Sequence, residues 1–310
     1  MDPTPSTPRR RRARRILRGL GVLVAVWLAC SFFVAYKLTR RKQPMAPEPP
    51  PAVAWARFEG LRLKTRDGME IGAWYAPGRD AAAPGVILIH GNGGNRSHVL
   101  NRAELVADRG CAVLLITLRA HGDSTGEFND IGYGARADVV AAVDYLERRR
   151  PGRPVAVLGT SLGAAAALFA AEDLGRRVGG YILESPYRDL RTAVWNRTAG
   201  PLPAPIGWIA YRGLVTVAPL FVPHLDRISP VDAIAHVPAE VPILILAGDE
   251  DPVARRDEAE ALHDRARSHA TLHIFPGAGH VRMIQADPGR YRDAVFALLD
   301  AVAAGAARRP

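Results

Sequence analysis

Cysteine is scarce in this sequence, because its 310 residues contain only Cys30 and Cys111. Cys30 lies inside a long apolar run, and Cys111 begins an apolar stretch that is typical of a buried strand. A disulfide framework needs several paired cysteines, so this usage excludes a disulfide-stabilised scaffold and leaves the redox compartment open. The fold must depend on a packed core, and a composition that is 48% hydrophobic suits one domain of about 250 residues with an appendage.

Most of the chain also lacks an excess of either charge. The formal net charge is +10, but residues 1–42 contain eleven Arg and Lys residues and one Asp, which accounts for the whole excess. From residue 43 onward, basic and acidic residues balance. Domains that bind nucleic acid carry a basic patch or stripe, so the composition excludes nucleic acid as a partner.

The positive charges flank an apolar run, Gly19–Tyr36, that contains no charged residue. As a helix it would be about 27 Å long, enough to cross the bilayer hydrocarbon. A cleaved signal peptide is the alternative, but Lys37 and residues 40–42 follow the run where a small-residue cleavage site would stand. Cys30 only loosely suggests a lipidation site, since Trp27 stands where an aliphatic residue is expected.

The sequence therefore predicts a basic cytoplasmic tail (1–18), a single uncleaved transmembrane helix (19–36), a basic and proline-rich linker (37–54) and a globular domain (55–310). Seven arginines precede the span and four basic residues follow it, which places the N-terminus in the cytoplasm and the domain outside. The prolines of the linker favour a stiff, extended spacer that holds the domain off the membrane. Deletion of residues 1–44 is then expected to leave a working soluble domain.

The globular domain alternates between short apolar runs and helical stretches, which predicts an α/β fold with a mostly parallel central sheet and helices on both faces. No internal repeat is found. Residues 186–241 break the alternation and are interpreted as a cap inserted after the sixth strand. A second span at Ile206–Val222 is the alternative, but Gly207, Arg212, Gly213 and Pro219 interrupt it. The predicted strands are 58–64, 69–75, 86–89, 112–118, 155–158, 181–183, 243–247 and 271–275, and the predicted helices are 102–108, 135–149, 162–174 and 255–267.

The motif Gly159-Thr160-Ser161-Leu162-Gly163 lies directly between an apolar strand and an alanine-rich helix. A nucleophile elbow has this order, because the serine adopts a strained conformation and small flanking residues let the strand and helix pass closely. Ser161 is the predicted nucleophile. The alternative is an ordinary glycine-flanked turn.

A serine hydroxyl needs a base, and the base needs an acid that orients it. The predicted acid is Asp251, in the turn that leaves the apolar strand 243–247, with Asp249 and Glu250 as alternatives. The predicted base is His280, in a glycine-rich loop after the last strand. Three other histidines are alternatives. His263 lies in a predicted helix, His273 lies within the last predicted strand, and His269 lies just before that strand.

An oxyanion needs backbone amides that point at one position. The segment His90-Gly91-Asn92-Gly93-Gly94-Asn95 follows a strand and has the glycine content for such a turn, so the amides of Asn92 and Leu162 are the predicted donors. The segment lacks the lysine and hydroxyl of a phosphate-binding loop and the spacing of a dinucleotide fingerprint.

Across residues 57–303 these motifs resemble the alpha/beta-hydrolase superfamily. The glycine-rich segment, residues 118–124, the elbow and residues 248–251 together look like its membrane-tethered branch, near the serine aminopeptidase-like and depalmitoylase-like hydrolases. The resemblance implies a Ser-His-Asp acyl-enzyme mechanism without cofactor or metal, acting on esters, thioesters or peptides. Some relatives place the acid where Glu184 stands. The sequence departs from the pattern at His121, where an aromatic residue is usual.

The resulting hypothesis is a serine hydrolase that cleaves carboxylic esters or thioesters of a small-molecule or lipid-like acyl substrate. A membrane-anchored serine peptidase is the second hypothesis. It would need an acidic pair in the cap to bind a substrate amine, and Asp232 and Glu240 are isolated. A non-catalytic binding module is the third, although such modules usually lose a member of the triad.

Overall fold

The computed structural model describes residues 8–200, 202–222 and 224–307, so the first seven residues of the predicted tail and the last three of the predicted domain lie outside the described part. The strands are β1 (Glu59–Lys64), β2 (Glu70–Ala76), β3 (Gly85–Ile89), β4 (Ala112–Ile116), β5 (Val155–Thr160), β6 (Val178–Glu184), β7 (Ile243–Gly248) and β8 (Ala270–Phe275). They form one sheet in the order β1-β2-β4-β3-β5-β6-β7-β8. The contacts β1–β2 and β2–β4 are antiparallel and the other five are parallel, which confirms the predicted mostly parallel sheet.

Helices cover both faces of the sheet. They are α1 (Pro8–Thr39), α2 (Leu100–Asp108), α3 (Arg136–Arg149), α4 (Leu162–Phe169), α5 (Ala171–Leu174), α6 (Leu190–Thr198), α7 (Ala204–Val217), α8 (Pro230–Ala233), α9 (Arg256–Arg265), α10 (Met283–Ala286) and α11 (Pro288–Ala307). In β3, Ile87 and Ile89 join a core with α3, α4 and α9, whereas Val86 and Leu88 join a second core with α2 and α11. Because both faces of each central strand are buried, the strands read as continuous apolar runs, as predicted.

The insertion between β6 and β7 contains α6, α7 and α8 with short 3₁₀ turns between them. This is the predicted cap after the sixth strand. Helix α7 has 14 residues and is too short to cross a bilayer alone. Among the described residues, α1 is the one helix that is long and apolar enough to be a candidate membrane span, with a mean hydropathy of 2.1 over its most apolar window.

Helix α1 runs without a break from the basic residues into the apolar run, so the predicted boundary at residue 18 is not a structural boundary. Its C-terminal half contacts the cap. The indole Nε1 of Trp27 donates to the carbonyl of Ile209, 3.0 Å away, and the rings of Phe32 and Phe221 lie 4.8 Å apart. The candidate span and the cap are therefore in direct contact.

The segment after α1 packs against the domain at residues 40–50, whereas the sequence predicted a stiff, extended spacer in the linker 37–54. The guanidinium of Arg41 is buried and donates to the carbonyls of Gly122, Ser124 and Gly126. The backbone of Glu48 accepts from the Trp74 indole at 3.1 Å. We call residues 40–50 the strap. Polar contacts hold this proline-rich segment against the globular domain, and proline content alone does not predict them.

Candidate active site

Ser161 stands at the sharp turn between β5 and α4, with φ at 51° and ψ at −107°. The left-handed φ is costly for a residue with a side chain, and such strain is concentrated at functional sites. A Cβ on Gly159 would lie 2.5 Å from the backbone of Gly163, and a Cβ on Gly163 would lie 2.6 Å from the carbonyl oxygen of Ile89. Only glycine fits at these two positions, so the motif builds the elbow as expected.

The structure brings Ser161, His280 and Asp251 together. The Nε2 atom of His280 lies 3.1 Å from Oγ of Ser161, and its Nδ1 lies 2.7 Å from a carboxylate oxygen of Asp251. These contacts fit a neutral imidazole that donates from Nδ1 and accepts at Nε2. The arrangement is the hydrogen-bonded series that a nucleophile, its base and an orienting acid require.

The carboxylate of Asp251 is fully buried. Burial by itself would raise its pKa, but the hydrogen bond and charge of His280, with the backbone amides of Ala254 and Val253, outweigh burial and hold its pKa below the ordinary value. Asp251 is therefore ionised wherever the domain works near neutral pH.

The alternative acids lie elsewhere. Asp249 accepts from the backbone of Gly277 at 2.7 Å, and Glu250 is exposed. Glu184 is buried, but it pairs with Arg102 at 2.8 Å and accepts from the Tyr291 hydroxyl. Its contacts are those of a buried ion pair that joins α2, β6 and α11.

The alternative bases do not reach Ser161 either. His263 lies beside Asp264 on α9, at 3.5 Å, and His269 lies beside Ser268 before β8. His273 lies within β8, in a cavity with Thr271 and Arg290.

The glycine-rich loop lies against the elbow. A Cβ on Gly91 would be 3.5 Å from Cβ of Ser161. Within the described residues the amides of Asn92 and Leu162 have no hydrogen-bond acceptor, so both are available to a ligand. The Asn92 side chain is held by Asn129 at 3.0 Å.

Two histidines fix the shape of this loop. Nε2 of the buried His90 accepts from the Leu118 amide at 3.0 Å, while its Nδ1 donates to the carbonyl of Gly91 at 2.7 Å. His121, at the position where the sequence departs from the family pattern, accepts from the Gly93 amide at 3.1 Å. His121 thus has a structural role that the sequence did not reveal.

Ser161 opens into a cavity of about 470 Å³. Its wall is formed by the glycine-rich loop, the loop that carries His280, the cap and the strap, and it includes the cations Lys42 and Arg197. Sequence reasoning missed both, because nothing near the motifs marks a residue that reaches the site from the strap or the cap. A smaller apolar cavity lies between α1 and the cap, lined by Ala35, Leu38, Val194, Leu214, Phe221 and Leu225 among others. No cluster of three or more His, Cys, Asp or Glu side chains suited to a metal occurs in the part of the chain that the structure describes.

The sheet order, the elbow and the cap together define a hydrolase fold. The family model described as the alpha/beta hydrolase family matches residues 86–294, and the chain belongs to this family.

Relatives and solved structures agree with this assignment. An uncharacterised protein of Mycobacterium tuberculosis is 29% identical, over 85% of this chain and 88% of that protein. The lysophosphatidylserine lipase ABHD12 of Danio rerio is 24% identical over 64% of this chain, and the match spans 51% of that lipase. The Pyrococcus furiosus esterase Pf2001 superposes with a TM-score of 0.66 at 21% identity, covering 83% of this chain and 98% of the esterase. The protein is therefore a hydrolase with esterase-like and lipase-like neighbours.

Proposed function

We propose that the protein is a membrane-anchored serine hydrolase that cleaves carboxylic esters or thioesters through an acyl-enzyme intermediate. The observation that carries the proposal is the hydrogen-bonded series from Ser161 Oγ through His280 to Asp251, with distances of 3.1 and 2.7 Å. The proposed chemistry uses only side chains and backbone amides and needs no cofactor or metal.

Each group has a defined role in the proposed reaction. His280 takes the proton of Ser161 as Oγ attacks the acyl carbonyl, and Asp251 stabilises the imidazolium that forms. The amides of Asn92 and Leu162 donate to the oxyanion, and each such donor is typically worth about 3–4 kcal/mol in the transition state. His280 then gives its proton to the leaving group. A water deprotonated by His280 finally releases the acid and regenerates Ser161.

The charges at the site favour a substrate with an anionic group near its ester. Among the described residues that line the cavity, Lys42, Arg102 and Arg197 are cationic and none is Asp or Glu. An anionic lipid headgroup fits this wall, and the Danio rerio relative bears the name of a lipase for such a lipid. The same wall disfavours a peptidase that binds a substrate amine, since it offers no carboxylate for the amine.

The proposed anchor is the apolar part of α1, residues 19–36, with the N-terminus in the cytoplasm and the hydrolase domain outside. The arginines before the span support this orientation. The substrate is then a lipid-like acyl compound at the outer surface of the membrane.

The test uses the full chain in detergent micelles. A chain-length series of p-nitrophenyl esters and acyl thioesters is assayed for the wild type and Ser161→Ala, with fluorophosphonate labelling in parallel. We expect turnover and labelling in the wild type, and a fall in kcat of about 10⁶-fold in Ser161→Ala, as in other triad enzymes. Turnover that persists in Ser161→Ala would refute the assigned nucleophile. Labelling without turnover of either class would favour the peptidase, and the absence of both would favour a non-catalytic module.

Headgroup preference is tested with lysophospholipids that differ only in headgroup, one with phosphoserine and one with phosphocholine. We expect Lys42→Gln to lower kcat/KM for the anionic substrate more than for the zwitterionic one. Lys37→Gln is the matched control, because Lys37 lies on α1 and does not line the cavity. An equal loss on both substrates would remove Lys42 from headgroup recognition.

A further inference from the structure

Helix α7 of the cap lies against α1 within the candidate membrane span. The Trp27 indole donates to the Ile209 carbonyl, and a Cβ on Gly213 would lie 2.1 Å from the Ser31 hydroxyl. Gly213 therefore allows a close approach of the two helices. Small residues serve the same purpose where helices meet inside membranes.

The position of this contact along α1 determines how deep the cap lies in the proposed bilayer. Trp27 precedes Tyr36, the last residue of the apolar run, by nine positions. At a helical rise of 1.5 Å per residue, Trp27 lies about 13 Å inside the run, close to the middle of a hydrocarbon layer of about 30 Å. A span formed by residues 19–36 therefore brings Ile209 and Gly213 into the outer half of the bilayer.

Most of the exposed large apolar side chains of the domain lie in the cap. Seven large hydrophobic side chains outside α1 are exposed among the described residues, and six of them lie in the cap. Leu220 is 72% exposed, and Ile206 and Trp208 are each 56% exposed. The other three in the cap are Trp195, Leu202 and Ile209. Exposed apolar side chains gathered in one region of a protein mark an interaction surface, and these lie on the part of the domain that packs against α1.

The charge pattern of the cap fits lipid as the occupant. No Asp or Glu occurs between residues 190 and 225, where the basic residues are Arg191, Arg197 and Arg212. The guanidinium of Arg212 lies over the Trp208 ring at 5.7 Å. Arginine and tryptophan together are suited to the headgroup region, because each has an apolar body and a polar end.

We propose that α7 and the exposed apolar side chains near its ends, Leu202 and Leu220, are embedded in the outer leaflet of the bilayer beside α1. This inference rests on the proposed membrane anchoring and goes beyond the proposed chemistry. The cap also supplies Arg197 to the catalytic cavity and Val194, Leu214 and Phe221 to the apolar cavity. An acyl chain in the outer leaflet would then lie next to the apolar cavity, and the same cap contributes to the wall of the cavity at Ser161.

Depth-dependent fluorescence quenching tests the embedding. The full chain with Cys30→Ser is reconstituted in phosphatidylcholine vesicles that contain some phosphatidylglycerol. Single cysteines at Ile206 or Leu220 carry an environment-sensitive fluorophore, while Cys111 is buried. Leu23→Cys in α1 is the positive control, and Ser268→Cys, exposed in the turn before β8 and outside the cap, is the negative control.

We expect lipids with a shallow nitroxide to reduce the emission of both cap labels by at least half and to leave the Ser268 label unchanged. Cap labels that are quenched no more than the Ser268 label, while the Leu23 label is quenched, would overturn the proposal. An unquenched Leu23 label would overturn it as well, since α1 would then lie outside the bilayer. The readout needs no catalysis, so a failure of the proposed function would not be mistaken for a failure of this inference.

Substrate presentation provides a second test. We expect Leu220→Glu to lower turnover of a long-chain ester held in vesicles severalfold and to leave turnover of a short soluble ester unchanged. Leu220→Gln separates the effect of the charge from the loss of the side chain. An unchanged rate on the vesicle substrate would contradict the embedding.

Discussion

The carboxylate of Glu48, in the strap, lies 2.9 Å from the guanidinium of the buried Arg96. The same carboxylate accepts from the Thr117 hydroxyl at 2.8 Å, and the Thr117 hydroxyl in turn accepts from the Arg96 amide at 3.1 Å. Arg96 directly follows the glycine-rich loop that contains Asn92, whose amide is a proposed oxyanion donor. The strap therefore supports the loop on which the proposed oxyanion binding depends.

Substitution of Glu48 should weaken both stability and catalysis. We expect Glu48→Gln to lower the free energy of unfolding by about 1–3 kcal/mol, because it removes a buried charge partner while Asp123 still pairs with Arg96. We also expect kcat to fall, because the loop loses part of its support. Unfolding by denaturant and ester turnover measure the two effects. Glu59→Gln, which removes an exposed ion pair with Arg149, is the control and should change stability by less than about 0.5 kcal/mol.

Two truncations separate the contribution of the strap to stability from that of α1. Deletion of residues 1–39 keeps Arg41, whereas deletion of residues 1–44 removes it with its bonds to three loop carbonyls. We expect the longer deletion to be less stable by at least about 1.5 kcal/mol, the value typical of a hydrogen bond to a charged group. Thermal unfolding of both proteins in detergent is the measurement. Equal stability of the two truncated proteins would show that residues 40–44 do not stabilise the domain.

The buried acids Asp251 and Glu184 should give opposite results when neutralised. We expect Asp251→Asn to lower kcat by about 10⁴-fold with little change in stability, because the imidazole loses its orienting partner. We expect Glu184→Gln to cost about 3–5 kcal/mol of stability, since it leaves the buried Arg102 unpaired, and to retain kcat per folded molecule. Asp249→Asn, in the same turn as Asp251, is the control for the loss of a carboxylate there. A large loss of kcat in Glu184→Gln with full stability would transfer the role of the acid to Glu184.

The lowered pKa of His90 predicts that the stability of the fold depends on pH. Burial, followed by the charge of His121, lowers the pKa of His90 from 6.5 to about 3. The unfolded chain takes up this proton as the pH falls below 6.5, and the folded chain does not until about pH 3. This histidine therefore makes the free energy of unfolding fall as the pH decreases across that window, by at most about 1.4 kcal/mol per pH unit. We expect the drop in stability between about pH 7 and about pH 5 to be smaller in His90→Gln. An equal change of stability with pH in the wild type and in His90→Gln would contradict the lowered pKa of His90.

The sequence predicted most of the sheet because strands buried on both faces are continuous apolar runs. It missed the start of β6, where Gly179 and Gly180 interrupt the run. A Cβ on Gly180 would lie 2.5 Å from a methyl of Val302, so the glycine is needed for α11 to pack against the strand. That need comes from a residue far away in the sequence, which local propensity cannot detect.

The residues of the candidate site also fall into two groups, those that a local sequence pattern predicts and those that it does not. Ser161, Asp251 and His280 follow strands or precede helices in an order that topology fixes, so their convergence could be predicted. Lys42, Arg197 and His121 reach the site through tertiary contacts of the strap, the cap and a loop, and no local pattern marks them. Their roles remain proposals, apart from the observed contact of His121 with the loop.

The contact between Trp27 and Ile209 joins residues 182 positions apart. During synthesis, α1 therefore leaves the ribosome long before the part of the cap that covers it exists. Arg41 must likewise wait for a loop 85 residues downstream to provide its carbonyl partner at Gly126. Helix α1 and the strap can therefore reach their final packing only after residues far downstream in the sequence have been made.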